Sequence, residues 1–131
     1  MNIDPAIKKA TAPFHLSYPN YSDQSYQFVS DAVSYTIGKL SSHRHVSARE
    51  LLEGTREYAY IQYGAVAPQV MEQFGLSGSR NVGEVVYLLI SVNMLSASDD
   101  DSPDHFKIDF SWDLPDTPAT PGGKLPFIDA D

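Results

Sequence analysis

Residues 82–95 read VGEVVYLLISVNML, and this stretch decides the fold. Val82, Val85, Val86, Leu89 and Ile90 recur at the i, i+3, i+4, i+7 spacing of one helical face. Leu88, Val92, Met94 and Leu95 widen that face until little polar surface is left, so the helix should be buried on several sides. The β-branched residues also suit a strand, but the run is longer than the usual strand of about 5–6 residues. Asn81 fits as N-cap, with Glu84 three residues on reaching back. Gly83 in the first turn weakens the helix by up to about 1 kcal/mol relative to Ala, and a close-packing neighbour would explain its presence. A transmembrane span needs roughly twenty apolar residues. This run is shorter and is flanked by Arg80 and by Asp99, Asp100 and Asp101. No membrane partner is expected.

Upstream, the same reasoning places three further helices. Ser22 or Asp23 caps a first helix to about Ser41, with Tyr26, Val29, Val33, Ile37 and Leu40 as its apolar stripe. Ser47-x-x-Glu50 is a capping box that opens a second helix, with Val46 before it placed to staple onto Leu51. Leu51, Leu52, Thr55, Tyr58, Ala59 and Tyr63 make its buried side, and Gly64 closes it. Pro68 suits the first turn of a short third helix with Val70, Met71 and Phe74 facing in, ended by Gly75. Residues 1–21 read as an irregular arm, because Pro5, Pro13 and Pro19 interrupt any pattern.

Downstream, the period changes. After the acidic loop 96–104, HFKIDFSW (105–112) alternates strictly, with Phe106, Ile108, Phe110 and Trp112 on one side. Period two predicts a half-buried strand. Its partner is expected around Leu95 to Ala97, with Arg44 to Val46 as a third strand. Residues 113–131 hold four prolines, two glycines and almost no periodicity, and predict a disordered acidic tail with LPFI as an apolar patch. The expected fold is therefore mainly α with a small β-hairpin: a winged-helix-like bundle of four helices plus a C-terminal wing, spanning 22–112.

Composition bounds the function. At 131 residues the chain is one domain large enough for a modest core. It has no cysteine, so no disulfide framework and no thiolate metal site. MNIDPAIKKATAPFHLS lacks an apolar run behind a basic start, so no signal peptide is read and a cytoplasmic location is the default. The net charge of −8 divides into −1 over residues 1–95 (seven Lys and Arg, eight Asp and Glu) and −7 over 96–131 (two and nine). Acidity of that kind repels phosphate polyanions at long range and disfavours nucleic acid.

The chain from about Tyr21 to Phe110 carries RHVSARELLEGTREYAYIQYG (44–64), FG (74–75), GEVVYLLISVNML (83–95), and the pattern of Asp101, Ser102, Phe106, Asp109 and Phe110. In these it resembles a small uncharacterised bacterial family described as restricted to Verrucomicrobia and Planctomycetes. Val82 stands where that family usually has an aromatic residue, a change compatible with a core role. The resemblance implies no activity, substrate or site residue.

Candidate sites are sparse. His43 and His45 point the same way in an extended stretch, but zinc wants three or four ligands. Arg44, Arg49 and Arg56 are the best nucleic-acid patch, opposed by Glu50, Glu53 and Glu57 on the same helix. The Asp99–Asp104 run lacks the spacing of a calcium loop. The chain has eight tyrosines. Tyr58, Tyr60 and Tyr63 in particular suit half-buried helix edges or a protein interface. There is no nucleophile elbow and no glycine-rich phosphate loop. The reading is a non-catalytic protein-interaction or regulatory domain with no cofactor or metal, binding another protein or itself. The alternative is a winged-helix nucleic-acid binder.

Overall fold

The computed structural model describes residues 2–40, 46–96 and 103–113. The chain is mainly helical, and no strand occurs among the described residues. The elements are α1 (Pro5–Thr11), α2 (Phe14–Ser17), α3 (Asp23–Gly38), α4 (Ala48–Tyr63), α5 (Ala67–Gln73) and α6 (Ser79–Ser91). Short 3-10 turns cover Gly64–Val66 and Pro103–Phe106. Helix α3 is the hub and packs on α4, α6 and α1.

Local chemistry accounts for the helix boundaries. Ser22 caps α3 through a reciprocal pair with Ser25, and Ser47 caps α4 with Glu50 as the sequence predicts. Pro68 lies in the first turn of α5. That helix ends in a Schellman motif: Leu76 N–H donates to the Met71 carbonyl at 2.8 Å and Gly75 N–H to that of Glu72 at 3.0 Å. Gly75 takes φ +76°, and a Cβ there would lie 2.3 Å from the Asn20 carbonyl oxygen. Helix α6 starts and stops earlier than its apolar run suggests. Gly78 precedes it, Asn81 sits at N3 and accepts the Gly78 N–H at 3.2 Å, and the helix closes at Ser91. Asn93 takes the left-handed turn at φ 63°, and Met94 N–H donates back to Leu89 at 2.9 Å. Val92, Met94 and Leu95 thus belong to the exit rather than to the helix.

The expected irregular arm is helical instead. Asp4 accepts the Ala6 N–H at 2.9 Å and caps α1, with Pro5 in the first turn. Proline there has no amide to lose and starts a helix rather than breaking one. Ile7 and Thr11 are buried.

The winged-helix and β-hairpin expectations are not supported. Residues 105–112 keep the predicted alternation: Phe106 and Trp112 are buried, Ile108 and Phe110 half-buried, and the residues between them exposed. Their partner is not a strand but the helices. Phe106 seats on Gly83, where a Cβ would fall 2.5 Å from the Phe106 Cβ. Ser79 Oγ donates to the Ile108 carbonyl at 2.9 Å, and Arg56 Nη1 to that of Ser111 at 3.0 Å. The Trp112 indole N–H donates to the Leu76 carbonyl. Helix side chains and a loop carbonyl thus supply the polar partners that a sheet would otherwise provide. The segment leaves the 3-10 turn at Phe106 and runs without regular secondary structure as a strap across α4 and α6. Of its supposed strand partners, Leu95 and Val46 are not in strands, while Arg44, His45 and Ala97 lie outside the described residues.

The core runs from Tyr21, Tyr26, Phe28 and Val29 through Leu52, Ala59, Met71 and Leu76 to Val82, Val85 and Leu89. Phe28 is fully buried although it lies off the predicted α3 stripe, and Ile37, on that stripe, is 44% exposed. The face of α3 is rotated because α1, α4 and α6 enclose it from several sides.

Candidate functional site

A groove opens where α3, α4, α6 and the strap meet. Val33 and Ile37 come from α3, and Val46, Ala48 and Leu51 from the start of α4. Val86, Tyr87 and Ile90 come from α6, Met94, Leu95 and Ser96 from its exit, and His105 and Phe106 from the strap. Its volume is about 420 Å³. Two close approaches frame it. At Gly54 a Cβ would sit 2.1 Å from Thr36 Oγ1, so glycine lets α4 press directly on α3. Gly83 does the same for Phe106 on α6. Thr36 Oγ1 is turned to its own helix, donating to the Ala32 carbonyl at 2.8 Å.

The described lining contains no Asp, Glu, Lys or Arg; His105 and Tyr87 are its titratable side chains. A surface depleted of charge and lined by aliphatic side chains suits apolar contact. Ile37, half out of the domain, forms part of its wall.

A second, polar cluster fixes the arm to the start of α6. The Tyr21 hydroxyl donates to Glu84 Oε1 at 2.6 Å and receives the Asn81 side-chain N–H at 3.2 Å. Burial, reinforced by the Glu84 carboxylate, pushes the Tyr21 hydroxyl up to about 12. His15 Nε2 lies 2.8 Å from Asp23 Oδ1. Glu84 therefore serves Tyr21 and does not reach back to Asn81, which sits at N3 and not at the N-cap position expected from the sequence.

The residues singled out from sequence fall as follows. Arg44, His43 and His45 lie outside the described residues, as do Asp99, Asp100 and Asp101. Arg49 is exposed on α4. Arg56 sits 5.1 Å over the Phe110 ring and bonds Ser111, so its guanidinium holds the strap rather than facing solvent alone. Tyr58 packs 5.5 Å from Phe28 and 5.4 Å from Tyr35. Tyr63 packs 6.2 Å from Phe28 and 6.0 Å from Phe74. Tyr60 is half-buried against the core. Tyr58 and Tyr63 form the edge of the core between α3 and α4, and the groove lies elsewhere. Ile37 and Met94 carry the apolar periodicity of a helix face, and packing leaves them on a groove wall. Among the described residues, no group of three or more His, Cys, Asp or Glu converges to hold a metal ion. No described helix is long and apolar enough to cross a membrane. Comparison with family models, with curated proteins and with solved structures gives no match.

Proposed function

We propose that this chain is a non-catalytic protein-interaction domain whose groove receives bulky apolar side chains from a second protein. The observation that carries this reading is a mainly apolar lining with no Asp, Glu, Lys or Arg among the described residues, in a chain of net charge −8. Such a lining recognises apolar groups, since a charged group would be desolvated there without a partner. A volume of about 420 Å³ falls in the range of small recognition pockets and accepts a few side chains, not a whole helix. Met94 is an unbranched, adaptable wall residue of the kind used at such surfaces. Membership of the small bacterial family named above belongs to the same proposal and adds no activity to it. The nucleic-acid alternative gains no support from Arg56, whose guanidinium is engaged by the strap.

The test is selection of binding segments from a random peptide library on the full chain, followed by titration against Ile37→Glu and Met94→Glu. Both positions accept a polar residue without burying it fully. The expected result is enrichment of segments with clustered Leu, Ile or Phe, and at least about tenfold weaker binding to both variants, equivalent to about 1.4 kcal/mol or more. Selected segments that bind the variants unchanged would overturn it. So would mass growth with concentration in light scattering that both substitutions abolish, because the occupant would then be a second copy.

A further inference from the structure

A smaller cleft lies on the opposite shoulder of Tyr87, between α6, the end of α2 and the strap. It encloses about 320 Å³ and is lined by Tyr18, Arg80, Glu84, Tyr87, Leu88 and Lys107. Arg80, Glu84, Tyr87 and Leu88 fall at i, i+4, i+7 and i+8 of α6 and so share one helical face. Both rings are braced from behind. Tyr18 stacks on Tyr21 at 6.4 Å and 21°, and Tyr87 meets Phe106 edge-on at 6.2 Å and 84°. Leu88 adds an apolar surface between them.

Electrostatics set the polarity of this cleft. Arg80 and Glu84 are spaced as an i, i+4 ion pair, yet Glu84 accepts the Tyr21 hydroxyl at 2.6 Å. Arg80 makes no ion pair or hydrogen bond among the described residues. Lys107 adds a second positive charge from the strap. Among the described lining residues, two basic side chains face one carboxylate that already accepts a hydroxyl, and Arg80 is the guanidinium placed to take an anion. A guanidinium fork suits a carboxylate bidentately. Braced tyrosine rings suit a flat apolar body.

We propose that this cleft binds a small aromatic carboxylate, with Arg80 pairing the carboxylate and Tyr18 and Tyr87 holding the ring. The combination is selective. Inorganic phosphate uses the cations and leaves the rings idle; an uncharged aromatic alcohol does the reverse. The site is independent of the groove's partner, although the two meet at Tyr87.

The experiment is an amide-resonance NMR titration of the full-length chain with phenylacetate, inorganic phosphate and benzyl alcohol. Saturable shifts centred on residues 80–88 and 107 are expected for phenylacetate, with phosphate and benzyl alcohol each weaker by about tenfold or more. Arg80→Gln, at an exposed position, should weaken phenylacetate by about tenfold, the effect of one charge-assisted bond. Glu84→Gln keeps an oxygen for Tyr21, removes the carboxylate's repulsion and should tighten binding. Equal binding of phosphate or of benzyl alcohol, shifts that never saturate, or unchanged affinity in Arg80→Gln would each overturn the assignment. Glu84→Gln binding no tighter than the parent would do the same.

Discussion

At the scale of single residues, two positions show how a neighbour reverses the intrinsic preference. By helix propensity Gly83→Ala should stabilise α6 by about 1 kcal/mol. The Phe106 side chain 2.5 Å from the added Cβ reverses the sign. Overpacking of this kind costs about 1–3 kcal/mol, so a net loss of up to about 2 kcal/mol is expected in urea unfolding. A more stable variant would mean that Phe106 yields freely. The second case is the tyrosine set. Burial first, and then Glu84 for Tyr21 and Glu57 for Tyr35, raise Tyr21, Tyr26 and Tyr35 to about 12 from an ordinary 10.0. Raised values mean that the native state holds these protons after the unfolded chain has released them. Their contribution is complete below pH 10 and is lost as pH climbs from 10 towards 12. The urea midpoint should be flat up to pH 10 and fall steeply beyond it. Native tyrosinate absorbance should lag behind that of eight free tyrosines; full titration near pH 10 without unfolding would contradict this. Glu57 moves the other way: partial burial raises it, but the hydrogen bonds from Lys39 and Tyr35 outweigh burial and leave it lowered. Its pair with Lys39, at 2.7 Å, ties the end of α3 to α4 and, being largely exposed, contributes only about 0.2–1 kcal/mol.

At the scale of elements, caps and stops are local chemistry, and here the sequence reads well. The Ser47 and Glu50 box starts α4, proline opens α5, and Gly64 takes a positive φ after α4. Gly75 adds a tertiary demand to a local one, since its left-handed φ closes α5 and its missing Cβ leaves room for the Asn20 carbonyl. Gly75→Ala should therefore cost more than the roughly 1–2 kcal/mol of a left-handed alanine. Thermal unfolding of that variant measures the loss, and a loss no larger than that range would remove the Asn20 contact from the account. Where element reading fails, the cue was present but ambiguous. Asp4-Pro5 is both a break and a helix start, and Asn93 inside an apolar run is a left-handed stop that hydrophobic periodicity passes over.

At the scale of the whole molecule, the strap links α4, the α5–α6 turn and α6 through Arg56, Trp112, Ser79 and Phe106. Unfolding should consequently be one event. The single tryptophan reports the strap and far-ultraviolet dichroism the helices, and their urea transitions should coincide. An earlier tryptophan transition would make the strap a separate unit and weaken both proposed sites, which both use its residues. Periodicity and capping chemistry alone show that the chain is mainly helical, where α4 begins, that Val82, Val85, Val86 and Leu89 are buried, and which residues of 105–112 face inward. Those properties follow from a residue's neighbours along the chain, and the spacing of apolar side chains records them directly. What the inward side of 105–112 packs against emerges from the fold alone. Alternation marks an extended segment with one buried side and is the same whether the cover is a strand or a helix pair. Packing likewise decided that Ile37 lines a groove wall, that Tyr58 and Tyr63 line the core edge, and that Glu84 accepts Tyr21 rather than pairing with Arg80. Each of these depends on contacts between residues far apart in sequence, and such contacts leave no periodic trace.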